Sequence, residues 1–290
     1  MFDIPIRAIT GQLLLGLING SFYALLSLGL AIIFGLLHVV NFAHGAQYTL
    51  GAFTAYLLLK YAGIPYWGAL VAAPVIVGLT GILFERLALR RLYDVDNIYQ
   101  LLLTFSLALI VEGTLRALFG SSGLPYVNPI GGGMQLGFMF LPYYRGWVLL
   151  LSIVLCVATW FLIERTRLGS YLRAATERPD VVRTFGVNVP VIVTLTYGWG
   201  VALAALAGVM AAPIYQVSPG MGANLLIVVF AVVVIGGMGS LMGAVIAGFG
   251  LGLVEGVTKL VYPAASTTVI FAVMILVPLV RPAGLFGKAA

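Results

Sequence analysis

Long apolar runs separated by short polar segments divide the chain into candidate membrane spans. A helix needs about 20 predominantly apolar residues to cross the hydrocarbon core of a bilayer. Eight runs come close to this length or exceed it, at about 11–36, 44–60, 65–88, 98–119, 146–163, 190–214, 224–258 and 264–281. The pattern predicts an all-α polytopic membrane protein, with a single transmembrane domain over residues 1–290.

The seventh run is too long for one simple crossing, and the sequence GGMGS interrupts it at residues 236–240. It is compatible with one tilted helix, with two short passes, or with a re-entrant half-helix followed by a full helix. We therefore expect about eight transmembrane helices, and eight to ten if re-entrant or split segments are counted.

Two 20-residue segments differ from ordinary lipid-facing helices. FGLLHVVNFAHGAQYTLGAF (34–53) carries polar side chains near membrane depth, and FAVVVIGGMGSLMGAVIAGF (230–249) interrupts a Val/Ile run with Gly and Ser. Broken apolar segments at matching positions in two halves of a chain point to a transporter's central pathway. Whether the two halves are related by internal symmetry stays open.

Polar side chains at this depth, together with the break at 236–240 opposite them, are the basis on which we predict residues of a translocation path. They are Asn19, Asn41, His44, Gln47, Gly236, Gly237 and Ser240. For Asn19, Asn41 and Gln47 the alternative is hydrogen bonding across helices, which is usual for polar groups in spans.

Three Gly-xxx-Gly pairs, 239/243, 248/252 and 252/256, lie in the second of these segments and beyond it. The glycines are Gly239, Gly243, Gly248, Gly252 and Gly256. Small residues at this spacing let helix backbones approach closely in lipid. The spacing predicts close helix packing, either as a contact within the chain or as a moving or dimeric interface.

The composition identifies lipid as the main solvent of the fold. Hydrophobic residues make up 62% and charged residues 8% of the 290 residues, and the mean hydropathy is +1.12. A soluble domain carries roughly 25% charged residues, so this class is excluded. The net charge of +6 does not indicate nucleic acid, because Lys and Arg in short loops are explained by their retention in the cytoplasm.

The distribution of basic residues predicts the orientation. The Arg-rich segments 85–96 and 164–189 are separated by two spans, so both should face the cytoplasm. The segment 120–145 between those spans is rich in Gly and Pro, and we expect it to form an outside loop. Eight spans would place both termini outside, whereas Arg7 and Arg281 favour the inside. This conflict predicts at least one re-entrant or split segment.

Several kinds of chemistry are not expected. The chain has no GxxxxGK[ST] phosphate loop, so it should not hydrolyse ATP. His38 and His44 are six residues apart and do not share a helix face, and Cys156 is the only cysteine. We therefore expect no metal, no cofactor and no disulfide. The spans show no Ser/His, paired-Asp or HExxH arrangement, so we do not expect an enzyme.

Two pairs of opposite charge occur at spacing i, i+4 near the ends of spans. They are Glu112 with Arg116 and Glu255 with Lys259. We interpret them as structural interface pairs. No carboxylate stands alone in mid-membrane, which argues against a stand-alone secondary transporter coupled to ions.

Eight charged residues fall between Glu164 and Arg183, an unusual density in this chain. Pro179 suits a first helical turn, and Gly186 is placed to end the helix, so we predict a short helix over 179–185 outside the membrane.

This short helix has an apolar face formed by Val181, Val182 and Phe185. Two turns are not stable alone in water, so the helix needs a surface to pack against. That surface is either the chain's own cytoplasmic ends or a groove on a soluble partner, and local physics leaves both open.

The chain resembles the LivH-type permease subunits of branched-chain amino acid ABC importers. The stretches that carry the resemblance are NGSFYALLSLGLAIIFGLLHVVNFAHG (19–45), RAATERPDVVRTFGVNV (173–189), VVVIGGMGSLMGA (232–244) and RPAGLFG (281–287). In this family the cytoplasmic segment corresponds to the EAA loop, whose coupling helix seats in an ATPase subunit. Here it reads Arg-Ala-Ala, as is usual for the amino-acid branch.

The resemblance implies ATPase-coupling residues in this segment. They are Arg173, Ala174, Ala175, Arg178, Asp180, Val181, Val182, Arg183, Phe185, Gly186 and Asn188. It also implies a second permease subunit of the other Liv class, two cytoplasmic ATPase subunits and a periplasmic binding protein, in a bacterial inner membrane. The function implied is translocation of branched-chain amino acids. Urea, short amides or aromatic acids are alternative substrates, because related permeases carry them.

Overall fold

The computed structural model describes residues 5–37 and 39–287, and His38 lies outside the described residues. Its helices are α1 (Ile6–Leu37), α2 (His44–Ala62), α3 (Tyr66–Leu87), α4 (Asn97–Phe119), α5 (Tyr143–Arg165), α6 (Arg167–Glu177), α7 (Pro179–Thr184), α8 (Val189–Tyr215), α9 (Met221–Gly236), α10 (Leu241–Val261) and α11 (Ser266–Val280). Short 3₁₀ helices at Leu89–Leu92 and Pro263–Ala265 precede α4 and α11.

The prediction of an all-α polytopic membrane protein is confirmed. Seven helical segments in the described part of the chain are long and apolar enough to cross a bilayer. They contain α1, α3, α4, α5, α8, α10 and α11. The 16-residue α9 is apolar but shorter than these seven. The 19-residue α2, which covers the predicted span 44–60, is not among them, because His44, Gln47 and Lys60 make it more polar.

The seventh predicted span is two helices joined by a turn. The helix α9 ends at Gly236, and the turn places Gly237 and Gly239 at φ values of 101° and 91°, which glycine adopts without strain. Ser240 then caps α10 by accepting a hydrogen bond from the Gly243 N–H (3.0 Å). A helix of 16 residues is about 24 Å long, so a short helix is followed by a full-length one.

This extra helix resolves the conflict over the termini for Arg281 but not for Arg7. The helix α10 returns antiparallel to α1, with Gly239 beside Gly35 and Gly256 beside Gln12. The segment after α11 lies against the turn between α9 and α10, where the Leu285 N–H donates to the Ile235 carbonyl (2.9 Å). The start of α1, with Arg7, and residues 281–287, with Arg281, therefore lie on opposite sides, and Arg281 lies on the side of the turn.

The two Arg-rich segments lie on one side of the helical bundle, as expected. Arg90 and Asp94, between α3 and α4, line one cavity together with Arg183 of α7. At the other end, Leu124 pairs with Val217 after α8. The loop between α4 and α5 also forms an antiparallel hairpin of β1 (Gly133–Gln135) and β2 (Phe140–Pro142).

Three of the predicted packing glycines bring α10 against α1 within the chain. A Cβ atom at Gly248 would lie 2.5 Å from the Ala24 Cα, one at Gly252 would lie 2.5 Å from the Gly20 nitrogen, and one at Gly256 would lie 2.5 Å from the Gln12 carbonyl oxygen. Real Cβ atoms do not approach backbone this closely, so only glycine allows the observed spacing.

The other two predicted packing glycines belong to the turn. Gly243 packs against the Gly236 backbone across the turn, and Gly239 lies opposite Gly35. The breaks before α2 and before α10 therefore approach one another, because α1 and α10 run side by side up to both of them.

Candidate translocation and coupling sites

Asn41, His44 and Gln47 form a buried polar network at the break between α1 and α2. The Asn41 side chain donates to Gln47 Oε1 (3.1 Å) and accepts from the Ala43 N–H (3.1 Å). His44 Nε2 lies 3.0 Å from the Leu26 carbonyl oxygen. These contacts order the irregular segment before α2 and join it to α1.

Gln47 extends this network to α8, because its Nε2 donates to the Tyr197 hydroxyl (3.3 Å). All of these polar side chains face protein. Of the two roles considered for Asn41 and Gln47, hydrogen bonding across helices describes their contacts in this conformation.

Gly236, Gly237 and Ser240 build the turn between α9 and α10. A Cβ atom at Gly236 would lie 2.5 Å from the Gly243 carbonyl carbon, and one at Gly237 would lie 2.8 Å from the Ala283 carbonyl oxygen. The contacts of these residues are those of a tightly packed turn against the C-terminal segment, and they differ from those of a solute path.

Asn19 has a different environment from the other predicted path residues, because it lines a cavity of about 320 Å³. The cavity lies between α1, α2, α8, α9 and α10, close to the last residue of α8 and the first residue of α9. Its lining residues are Asn19, Phe22, Tyr23, Tyr48, Tyr215, Ser218, Met221, Asn224, Leu225, Glu255 and Lys259. Its volume is within the range of small-molecule sites, about 300–1,000 Å³. We call it the outer cavity.

The polar groups of the outer cavity are joined by short hydrogen bonds. The Tyr215 hydroxyl donates to Asn19 Oδ1 (2.8 Å), and the Tyr23 hydroxyl donates to Glu255 Oε2 (2.8 Å). Lys259 Nζ donates to Glu255 Oε1 at 2.5 Å. The Glu255 side chain is 8% exposed and the Lys259 side chain 38%, so a buried carboxylate is paired with a more accessible ammonium group.

Sequence reasoning found this ion pair but did not find the cavity. Tyr23 and Tyr215 carry no spacing signal, since aromatic residues are common in spans, and Asn224 was included in the apolar run 224–258. One signal in the sequence could have indicated the site. Glu255 lies beside two of the packing glycines, Gly252 and Gly256, and so places a carboxylate where α1 comes closest to α10.

On the cytoplasmic side, residues 164–189 form two helices, α6 and α7, where only one was expected. Arg173 anchors α6 to the end of α5, because its Nη1 donates to the Ile163 carbonyl (3.0 Å) and to Glu164 Oε2 (3.1 Å). Ala175 is buried and Ala174 is exposed.

The apolar residues of the predicted coupling helix are divided between two surfaces. Val182 is 6% exposed and packs with Ala175 and Val189, so the chain's own cytoplasmic segments cover this member of the predicted apolar face. Val181 is 48% exposed and Phe185 is 80% exposed. The chain therefore covers one side of α7 itself and leaves these two side chains available to a partner.

The remaining predicted coupling residues set the ends and the charge of α7. Arg178 is exposed, and Arg183 Nη1 donates to Asp180 Oδ1 (3.4 Å). Gly186 follows the helix at φ 78°. Asn188 caps α8 by accepting a backbone N–H (3.3 Å), so its side chain holds the start of a span.

Glu85 connects the cytoplasmic segments to the bundle. It lies where the predicted span 65–88 and the Arg-rich segment 85–96 overlap, in the last two turns of α3, and it is fully buried. Its carboxylate accepts from the Tyr93 hydroxyl (2.9 Å) and from Thr194 Oγ1 of α8 (2.6 Å). Burial, together with the negative charge of Glu85, raises the pKa of the Tyr93 hydroxyl. Glu85 also lines the cavity that contains Arg183.

Residues 12–278 match the family model of the permease component of branched-chain amino acid transport systems. The chain belongs to this family. A similar relative is the high-affinity branched-chain amino acid transport system permease protein BraD of Pseudomonas aeruginosa, 29% identical over 292 residues, which are 96% of this chain and 95% of the relative. The permease protein LivH of Escherichia coli K12 is 28% identical over the same shares.

The match covers all of the helices that could cross the membrane except the ends of the first and last. The resemblance noted in the sequence is thus confirmed at the level of the family. Membership of this permease family together with the apolar helices identifies a multi-pass protein of the bacterial inner membrane.

Proposed function

We propose that this permease forms one half of the translocation path of an ATP-driven importer for branched-chain amino acids. A second permease subunit of the other Liv class forms the other half. Two cytoplasmic ATPase subunits supply the energy, and a periplasmic binding protein delivers the solute, so the chain itself has no enzymatic role. The family and the names of its relatives support this substrate class.

The observation that carries the proposal is the exposed side of α7. Phe185 and Val181 project from a short helix on the Arg-rich side of the bundle, outside the spans. An exposed aromatic side chain next to exposed Arg178 and Arg183 has the composition of an interface anchor. Val182 and Ala175 hold the other side of α7 against the start of α8, so a force on α7 is transmitted to a span.

The test is co-purification of the ATPase subunits with a Phe185→Asp variant. A charge at an 80% exposed position should leave folding intact and should abolish ATPase association, because a carboxylate cannot be buried in an apolar pocket without a partner. Val95→Asp is the matched control, since Val95 is an exposed apolar residue on the same side of the bundle. Normal ATPase association of Phe185→Asp would refute the assignment of α7 as the coupling helix.

Transport measurements test the rest of the proposal. Proteoliposomes that contain the assembled complex and the binding protein should import leucine only when ATP is present on the ATPase side. Urea and phenylalanine, offered as competitors, test the alternative substrate classes. Leucine uptake by this chain alone, without ATP, would reject an importer subunit in favour of a stand-alone transporter.

A further inference from the structure

We propose that the outer cavity binds the free amino acid during transport, with Glu255 receiving the α-ammonium group, Lys259 the α-carboxylate and the apolar wall the side chain. This inference rests on the proposed function and assigns the site in this chain that recognises the substrate class.

The charges of the outer cavity match those of a zwitterion. Without solute, the ammonium group of Lys259 and the hydroxyl of Tyr23 occupy the two oxygens of Glu255. An amino acid adds one cation and one anion, so its ammonium group can lie against Glu255 while its carboxylate lies against Lys259. A solute with a single charge would leave one charge of the cavity without a partner, which is costly beside the buried Glu255 carboxylate.

Uncharged polar side chains supply further hydrogen-bond partners for the ammonium and carboxylate groups of the solute. An ammonium group has three donors and a carboxylate only acceptors. The Asn19 and Tyr215 side chains, already bonded to each other (2.8 Å), supply both kinds of group on the α1 and α8 sides. Asn224 adds an amide on the α9 side. Each charge of the solute therefore has neutral partners besides the charged one.

The rest of the cavity lining is largely apolar. It includes Phe22, Tyr48, Met221 and Leu225, and the rings of Phe22 and Tyr215 are in edge-to-face contact at 5.6 Å. Sites for small molecules combine such walls with a few polar groups that fix the orientation of the ligand. A polar end beside an apolar wall suits an amino acid with a hydrocarbon side chain.

The glycine contacts between α1 and α10 position the charged end of the site. Gly252 and Gly256 flank Glu255 along α10 and bring the two backbones together. This approach lets the Tyr23 hydroxyl of α1 reach Glu255. The ion pair therefore lies at a rigid junction, near the end of the bundle opposite the Arg-rich segments, which is where a delivered solute enters.

The test is direct binding of leucine to the purified transporter complex without its binding protein, followed by thermal unfolding. Leucine should raise the unfolding midpoint. The amine 3-methylbutylamine and the acid 4-methylpentanoate, each with one of the two charges, should have no effect at the same concentration. Glu255→Gln and Lys259→Met should each weaken leucine binding about tenfold or more, as expected for the loss of a charged hydrogen bond.

The matched control is the other i, i+4 pair, Glu112 with Arg116 (2.6 Å), which does not line the outer cavity. Glu112→Gln and Arg116→Met should bind leucine as the wild type does. If the Glu255→Gln variant fails to assemble, the Lys259→Met variant tests the site alone. The Lys259 side chain is more exposed than that of Glu255, so its replacement should disturb folding less.

Three results would overturn the site. They are an absence of leucine binding by the wild-type complex, an equal response to 3-methylbutylamine, and wild-type affinity in Lys259→Met. The proposed function has a separate test, ATP-driven leucine uptake by the wild type. Uptake that persists unchanged in Lys259→Met rejects only the site, whereas a wild type that imports no leucine rejects the function.

Discussion

Replacing Gly252 by alanine tests the packing of α10 against α1. A Cβ atom at this position would lie 2.5 Å from the Gly20 nitrogen, and its other near contacts are also backbone atoms of α1. Backbone cannot rotate away as a side chain can. Because carbon contacts are normally about 3.5 Å or longer, the two helices would have to separate locally by about 1 Å.

The loss of stability caused by Gly252→Ala can be bounded with a control substitution on the same helix. Overpacking a well-packed interior costs about 1–3 kcal/mol, and Gly→Ala in a helix recovers up to about 1 kcal/mol of helix propensity. A Cβ atom at Gly250, two residues away, would meet nothing within 4 Å. Gly250→Ala therefore keeps only the gain, and we expect it to be more stable than Gly252→Ala by about 1–3 kcal/mol.

The assay is thermal unfolding of the detergent-solubilised complex, followed by the loss of its monodisperse peak in size-exclusion chromatography. Gly252→Ala should have a lower midpoint than the wild type, and Gly250→Ala an equal or higher one. Equal midpoints for the two variants would refute the close packing of α1 on α10. They would also remove the geometric basis for the bond between Tyr23 and Glu255.

Two further substitutions address the buried polar groups. Asn41→Leu should destabilise the complex by about 1–3 kcal/mol in thermal unfolding, because it leaves buried polar groups of Gln47 and the Ala43 backbone without partners; unchanged stability would contradict a structural role for Asn41. Glu85→Gln should reduce ATPase stimulation by the loaded binding protein, since its amide end cannot accept from both Tyr93 and Thr194, while leucine binding stays normal; unchanged stimulation would separate Glu85 from coupling.

Most of the helical architecture could be predicted from the sequence, because a bilayer demands long apolar helices whatever their partners are. The apolar runs predict the spans, and the glycines of GGMGS indicate the break that separates α9 from α10. The helix α6 was not predicted, although Leu168, Tyr171, Leu172 and Ala175 recur at helical spacing, because the density of charge in this segment is typical of a loop.

The candidate site was harder to predict, because polarity at membrane depth does not indicate where a side chain points. Asn41, His44 and Gln47 were chosen for their depth, and the fold buries them among helices. Val182 and Phe185 both look like members of one apolar face, yet the start of α8 covers only the first. The partner helices decide these outcomes, and their arrangement is set by backbone contacts such as Gly16 with Gly252.

The two proposed sites lie at opposite ends of the molecule, and two helices touch both. The helix α8 begins at Val189, which packs against Val182 of α7, and it spans 27 residues to Tyr215 in the outer cavity. A helix of that length is about 40 Å long. The helix α1 contacts α6 near one end and carries Tyr23 of the outer cavity. Because packed helices move as rigid bodies, a displacement of α6 and α7 by an ATPase would move both walls that hold Asn19 against Tyr215.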